Sequence, residues 1–256
     1  MNQLGTLFVI ARTDSKRLPN KVLLKIKGKP LLKILVDRIR TAKKISKIVI
    51  CTTKKRSDNI LVKFLKENNI DVYRGDDKDI LKRIYFAAKK FQTSNFILVE
   101  GDDVLCDPGL IDKTYHELIQ GDKDFLYWSN LPFGVTPTGM KLKPLEKLIK
   151  LKGDKKIETG WIKFVIDSKV FNTKKMETLN KRLNRPDIRL SVDYKEDLKL
   201  VRRVLSHLPS NFKLDDIIKI LEDNPNWLKI NEVVKKKYLK NFNHEKNYSE
   251  IYCDVK

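Results

Sequence analysis

NFILVEGDD, residues 95–103, decides the fold. Its centre, FILV, shows no alternation of polar and apolar residues. A strand with one wet face alternates, whereas a strand buried on both faces reads as a continuous apolar run. FILV is also far short of the roughly 20 residues a membrane span needs. The stretch therefore reads as a central strand of a sheet covered by helices on both sides. It ends in Glu-Gly-Asp-Asp, and open α/β sheets bind their ligands at the carboxyl ends of their strands.

Strand and helix signals alternate upstream of it. LFVIA (7–11), KIVICTT (47–53) and DVYRG (71–75) read as strands. PLLKILVDRIRTAK (30–43), DNILVKFLKENN (58–69) and DILKRIYFAAKKF (79–91) carry apolar residues at helical spacing. The expectation is an α/β fold built on a mostly parallel sheet. Between about 124 and 172 the pattern changes to an inserted subregion on the same sheet. There DFLYWSN, GVTPTGMKLKPLEKLIKL and TGWIKFVI bring turn residues, an amphipathic helix and a strand. RLSVDYKEDLKLVRRVLSHL (189–208) returns to strand and helix, closing a domain of residues 1–208. Residues 209–256 read as a helical C-terminal extension, with two helices parted at Asn224–Pro225 and a loose polar tail from about 243.

Composition narrows the classes. The chain has 256 residues, 41% hydrophobic, enough for a real core. MNQLGTLFVIAR lacks the charged start and small-residue cleavage site of a signal peptide, so LFVI reads as a buried strand. Cys51, Cys106 and Cys253 are far apart. That spacing points to a reducing cytoplasm, against a disulfide framework and against a structural zinc site. The net charge is +21, but only 12 of the 54 basic residues are arginine and the lysines are scattered among acids. A lysine-rich solvated surface accounts for this without a nucleic-acid or membrane partner. A nucleic-acid binder would explain the charge but not the ordered aspartates. His116, His207 and His244 share no metal-ligand spacing, Cys51 reads as a small core residue, and no Gly-x-Ser-x-Gly elbow occurs.

Three constellations carry chemistry. IARTDSKRLPNK (10–21) follows the first strand with Arg12, Ser15, Arg17 and Lys21. It is either an ordinary basic connection or a phosphate cradle of arginine forks, a lysine charge, a hydroxyl and free backbone N–H groups. It is neither a P-loop nor a dinucleotide-binding glycine loop. Asp102 stands where the buried strand of NFILVEGDD runs into Gly-Asp-Asp, and a carboxylate there either holds Mg²⁺ or caps a turn; Asp107-Pro108 is the natural helix cap beside it, and Asp103 is open. Asp193, in LSVDYKED, either caps the following helix or joins Asp102 in a metal–triphosphate site.

Taken together, ARTDSKRLPNKVL…IKGKPLL, IVICTT, VYRGDDKDILKRIYFAAKK, LVEGDDVLCDPGLID and RLSVDYKEDLKLV resemble the cytidylyltransferases that activate acidic sugars. These are the acylneuraminate and 3-deoxy-manno-octulosonate cytidylyltransferases, and the closest likeness is to their spore-coat polysaccharide biosynthesis branch. The resemblance spans about residues 5 to 235. It implies a nucleotide-diphospho-sugar transferase-like fold that dimerises through an inserted arm, which also shapes the acceptor site, with the nucleotidyltransferase domain at 1–208. It implies CTP and an anionic small-molecule acceptor as substrates, with Ala11, Arg12, Ser15, Arg17, Lys21, Thr52, Arg83 and Asp102 at the nucleotide. Arg12, Lys21, Asp102 and Asp193 would be catalytic, the two aspartates holding Mg²⁺. Val104 replaces a family proline and VDYKED replaces VDTPED, so the loop geometry there is open. Lys141 and Lys163 lie in the usual acceptor region, as surface charge or as partners of a carboxylate or phosphonate. The expected reaction is CMP transfer to a sugar acid with release of pyrophosphate. The alternatives are a phosphonate or polyol phosphate headgroup, or a non-catalytic nucleotide-sugar-binding relative.

Overall fold

Buried on every residue, β1 (Gly5–Ile10) sends Leu7 and Val9 to one face of the sheet and Phe8 and Ile10 to the other. The computed structural model describes residues 4–237. From β1 the chain passes through an irregular loop to a hairpin, β2 (Lys25–Ile26) and β3 (Lys29–Pro30), and into α1 (Leu31–Ile39). There follow β4 (Ile45–Thr53), α2 (Asn59–Glu67), β5 (Asp71–Gly75), α3 (Ile80–Lys90), β6 (Asn95–Glu100) and α4 (Pro108–Gln120). The second half holds β7 (Phe125–Trp128), β8 (Thr138–Lys141), α5 (Leu142–Lys152), α6 (Trp161–Asp167) and β9 (Thr173–Met176). After them come α7 (Lys195–His207), α8 (Leu214–Asp223) and a 3-10 segment, Pro225–Asn231.

Seven strands form one sheet in the order β5-β4-β1-β6-β8-β7-β9. β5, β4, β1 and β6 are parallel; β8 runs antiparallel to β6 and β7, and β9 is parallel to β7. The inserted region thus extends the same sheet. From β1 the chain builds outward to β4 and β5, then returns to place β6 on the other side. This reversal opens a crevice beyond the carboxyl ends of β1 and β6, where such sheets bind ligands.

The two-faced burial of β6 matches its apolar run. Ile97 and Val99 pack with Leu35, Val36 and Ile39 of α1 and Leu61 and Leu65 of α2. Phe96 and Leu98 pack with Ile84 of α3, Leu148 of α5 and Phe164 of α6. Each such side chain contributes roughly 1.5–3 kcal/mol on burial. A third cluster joins α7 and α8 to Val104, Leu190 and Val192, so helices beyond residue 208 share a core with the segment carrying Asp193.

Three local expectations are corrected. TGWIKFVI folds as α6: Gly160 turns the chain at φ 64°, and Trp161, Phe164 and Val165 bury one helical face. Residues 189–193 enter no sheet. They have one bridge, Phe133 to Arg189, and bond to loops instead: Leu190 N–H to the Phe133 carbonyl at 2.7 Å and Val192 N–H to that of Asp102 at 3.0 Å. That approach needs Gly134, at φ +99°, because a Cβ there would lie 2.3 Å from the Ser191 nitrogen. The second helix of the extension opens as the 3-10 segment Pro225–Asn231, since Asn224–Pro225 breaks the chain after α8. The tail from 243, with His244 and Cys253, lies outside the described residues. Among the described residues no helix is long and apolar enough to cross a membrane.

Candidate active site

At the crevice the ends of β1 and β6 almost touch. Gly101 N–H donates to the Ile10 carbonyl at 2.8 Å, and a Cβ on Gly101 would fall 2.8 Å from that of Ala11. Glycine here brings the backbone of Ala11 beside Asp102. The cleft that opens from this point holds about 870 Å³. Ala11, Arg12, Ser15, Arg17 and Lys21 line one side, Asp102 and Asp193 also line it, and Arg83 enters from α3. Tyr127, Thr138, Trp161 and Lys163 line the opposite wall, which comes from the inserted region.

A buried carboxylate shapes the basic loop. Asp58 accepts from Thr13 N–H at 2.8 Å and Thr13 Oγ1 at 2.7 Å, and from Thr52 Oγ1 at 2.9 Å, Thr53 N–H at 3.1 Å and the Thr53 hydroxyl. Burial opposes its charge, but these donors hold the carboxyl below the usual carboxylate range. Thr52 is spent in this network behind the cleft and is not among its lining residues. Ser15 lines the cleft, and its hydroxyl also accepts from Leu18 N–H at 3.3 Å. Asn20 takes a left-handed turn (φ 54°) into a single 3-10 turn, Lys21–Leu23. Val22 is buried there, which directs Lys21 back onto the acids.

Lys21 Nζ bridges the two aspartates. It donates to Asp102 Oδ2 and, at 2.9 Å, to Asp193 Oδ1. Arg17 Nη2 reaches Asp193 Oδ1 at 2.5 Å, and Arg189 Nη2 reaches Oδ2 at 2.6 Å. Burial resists the charge on Asp193, but Lys21 and Arg17 outweigh it and hold its carboxyl far below the ordinary value. Burial likewise resists the charge on Lys21, and Asp102 and Asp193 raise its pKa above the usual amine range. Asp193 is free for this role because Asp197 does the capping: its Oδ2 accepts from the N–H groups of Asp193 and Tyr194, both at 3.1 Å. Asp107, by contrast, caps α4 as expected, accepting from Gly109 N–H at 2.9 Å and Leu110 N–H at 3.2 Å.

The model of the family described as Cytidylyltransferase matches residues 6–219. The chain belongs to that family. An uncharacterised protein of Methanocaldococcus jannaschii is 33% identical over 232 residues, covering 89% of this chain and 94% of that protein. The spore coat polysaccharide biosynthesis protein SpsF of Bacillus subtilis is 27% identical over 228 residues, covering 86% and 95% respectively. The solved structure of a cytidylyltransferase from Leptospira borgpetersenii superposes with a TM-score of 0.77 at 23% identity, covering 89% of this chain and 97% of that one. It shares the fold.

Several groups of this cytidylyltransferase's cleft were not singled out from sequence. Glu100, at the end of β6, accepts from Trp161 Nε1 at 2.5 Å. Burial and the neighbouring Asp102 push its carboxyl up to about 7, against the pull of Trp161 and Lys21. Asp103 is raised well above its ordinary value by burial, then by Asp102 and Glu100. Glu158 accepts from Arg12 Nη1 at 2.7 Å. Glu100 and Arg189 stood in the quoted VEGDD and RLSVDYKED runs without being singled out, whereas no local pattern marks Glu158 or Asp58. Arg83 lies 98% buried with Nε on the Asp76 carbonyl at 2.9 Å, and its desolvation lowers its pKa. Lys163 faces the cleft and pairs with Asp167, while Lys141 donates to the Gly121 carbonyl at 3.2 Å and is not a lining residue.

Among the described residues no group of three or more His, Cys, Asp or Glu side chains is arranged to hold a metal. The donor set nevertheless suits Mg²⁺, which needs one or two carboxylates and completes its shell with water and phosphate. Asp102 and Asp193 already converge on one cation, the Lys21 ammonium.

Proposed function

We propose that this cytidylyltransferase transfers CMP from CTP to an anionic sugar acceptor and releases pyrophosphate. The observation that carries the reading is the convergence of Arg17, Lys21, Asp102 and Asp193, from three distant parts of the chain, at the sheet's switch point. Cations held by carboxylates at a cleft mouth are ready to exchange them for phosphates. Arg12 gives up Glu158, and Arg17 turns its fork from Asp193 to the triphosphate. The acceptor hydroxyl oxygen attacks the α-phosphorus in line and releases its proton to solvent, while the bond from the α-phosphorus to the oxygen bridging to the β-phosphate breaks with its electron pair leaving on pyrophosphate. Arg12, Arg17 and Lys21 neutralise that leaving charge. Positioning and electrostatics supply most of the rate in such transfers. Asp102 and Asp193 would hold Mg²⁺, which when bound supplies Lewis-acid polarisation of the phosphate oxygens.

The wall of Tyr127, Thr138, Trp161 and Lys163 is the acceptor side in this reading, with Lys163 as its cation. The family resemblance adds an expectation of a homodimer, which sedimentation velocity tests. The deciding experiment is pyrophosphate release from CTP, ATP, GTP and UTP with Mg²⁺ against sugar acids, phosphonates and polyol phosphates. CTP with a sugar acid is the expected pair. A preference for another nucleotide overturns the cytidylyl assignment, and turnover only with a polyol phosphate overturns the acceptor class.

A further inference from the structure

Asp193 is held from behind as well as from the cleft. Its Oδ2 is taken by Arg189 Nη2 at 2.6 Å, which leaves Oδ1 to face Lys21 and Arg17. Arg189 is itself fixed: its Nε donates to Asp197 Oδ1 at 3.2 Å, and Asp197 is completely buried. A guanidinium between two carboxylates would still swing unless the far carboxylate were anchored. The anchor is Asn231, the last residue of the 3-10 segment. Its Nδ2 donates to Asp197 Oδ1 at 2.9 Å and to the Arg189 carbonyl at 3.0 Å, so one amide group holds both the side chain and the backbone of this relay. Asn231 is 97% buried, and a polar group is placed at that depth only with its hydrogen bonds made.

Asn231 lies beyond residue 219, where the family match ends. The segment that carries it makes further contacts with the same stretch: Lys235 Nζ donates to the Asp187 carbonyl, and Lys237 Nζ lies 5.8 Å from the centre of the Tyr194 ring. Arg17 lies 5.4 Å from the centre of that ring. The helical extension therefore packs on the turn that carries Asp193.

We propose that Asn231 is a positioning residue for the nucleotidyl-transfer site, acting through Asp197 and Arg189 to hold Asp193 with Oδ1 toward the cleft. The proposal rests on the functional reading above for its kinetic consequence, but its structural half stands by itself. Partners behind a ligand carboxylate are commonly worth 10- to 100-fold in affinity or activity.

The test compares Asn231→Ala with Val234→Ala. Val234 is buried in the same segment and has no polar group to place in the relay, so it reports simple loss of packing. Both variants are assayed well below their unfolding transitions. Asn231→Ala is expected to lower kcat about tenfold while the CTP dissociation constant, measured calorimetrically without acceptor, moves less than about threefold. Val234→Ala is expected to lose stability and keep kcat. The second readout needs no turnover: slow solvent exchange of the Arg189 Nε–H, followed by NMR, should be lost in Asn231→Ala and retained in Val234→Ala. Retained protection in Asn231→Ala, or equal kcat in the two variants, overturns the proposal. If the native protein releases no pyrophosphate while Arg189 still loses protection in Asn231→Ala, the anchoring stands and the cytidylyl reading falls.

Discussion

Asp58 and Asp193 are both buried carboxylates near the carboxyl edge of the sheet, and both are held below the ordinary carboxylate range. Their partners are opposite in kind. Asp58 is surrounded by hydroxyl and amide donors of Thr13, Thr52 and Thr53. Asp193 is surrounded by Lys21, Arg17 and Arg189, two of which line the cleft. Buried neutral donors, two from the backbone and three from short side chains, make a permanent joint. Mobile cations make an exchangeable one. The first carboxylate shapes the basic loop; in the function proposed above, the second belongs to the chemistry that loop serves.

Substitution should separate the two sharply. Asp193→Asn is expected to lower cytidylyl transfer about a thousandfold, at the upper end of what one electrostatic partner supplies. Pyrophosphate release measures this, with circular dichroism to show that the protein is folded. Turnover within tenfold of the native protein would erase the contrast with Asp58.

Arg17→Ala should cost about a hundredfold in kcat/KM for CTP with almost no change in Tm. The Arg17 side chain is 46% exposed, and an exposed ion pair contributes only about 0–1 kcal/mol to folding. A large fall in Tm would make Arg17 a structural member like Asp58.

Asp58→Asn should do the reverse. Backbone N–H groups of Thr13 and Thr53 would then meet an amide that has one oxygen where the carboxylate had two. The expected loss is about 2 kcal/mol in urea unfolding, with turnover per folded molecule reduced only severalfold. Full stability in this variant would show that the five donors do not fix the loop.

The smallest effect is in pH. The folded pKa of Asp58 lies below its unfolded value, so its stabilisation is complete above about pH 4 and is lost as pH falls through the folded pKa. The stability difference between the native protein and Asp58→Asn should therefore shrink between neutral pH and pH 3. A difference independent of pH would mean that the Asp58 carboxyl has the same pKa folded and unfolded, and that the threonine donors do not favour its charge.

Some of this contrast is legible in the chain. The basic loop and Asp102 stand out because each follows a run that ends at the ligand edge of the sheet, and Asp193 because it stands between an apolar run and a helix. Asp107 is legible too, since a helix that begins Asp-Pro declares its cap. Thr52 sits near the end of β4 as a ligand residue would, but its hydroxyl donates to Asp58, six residues on, and it is not among the lining residues of the cleft, which no local pattern shows. Residues 189–193 have a strand's composition and find no neighbouring strand, because Gly134 brings a loop against them first.

The amino-acid sequence by itself determined the alternating strands and helices of a mostly parallel sheet and the cations and acids that follow its strands, because strand burial and periodicity are local properties. The strand order, with the reversal that opens the cleft, belongs to the tertiary structure. Only the tertiary structure decided which aspartate caps and which meets the lysine. Asp193 and Asp197 are four residues apart, and either has the chemistry to cap α7. Arg189 and Asn231 settle the division by holding Asp197 beneath the helix start and leaving Asp193 to the cleft. Asn231 lies 38 residues from Asp193 in sequence, and no local pattern registers a hydrogen bond made at that separation.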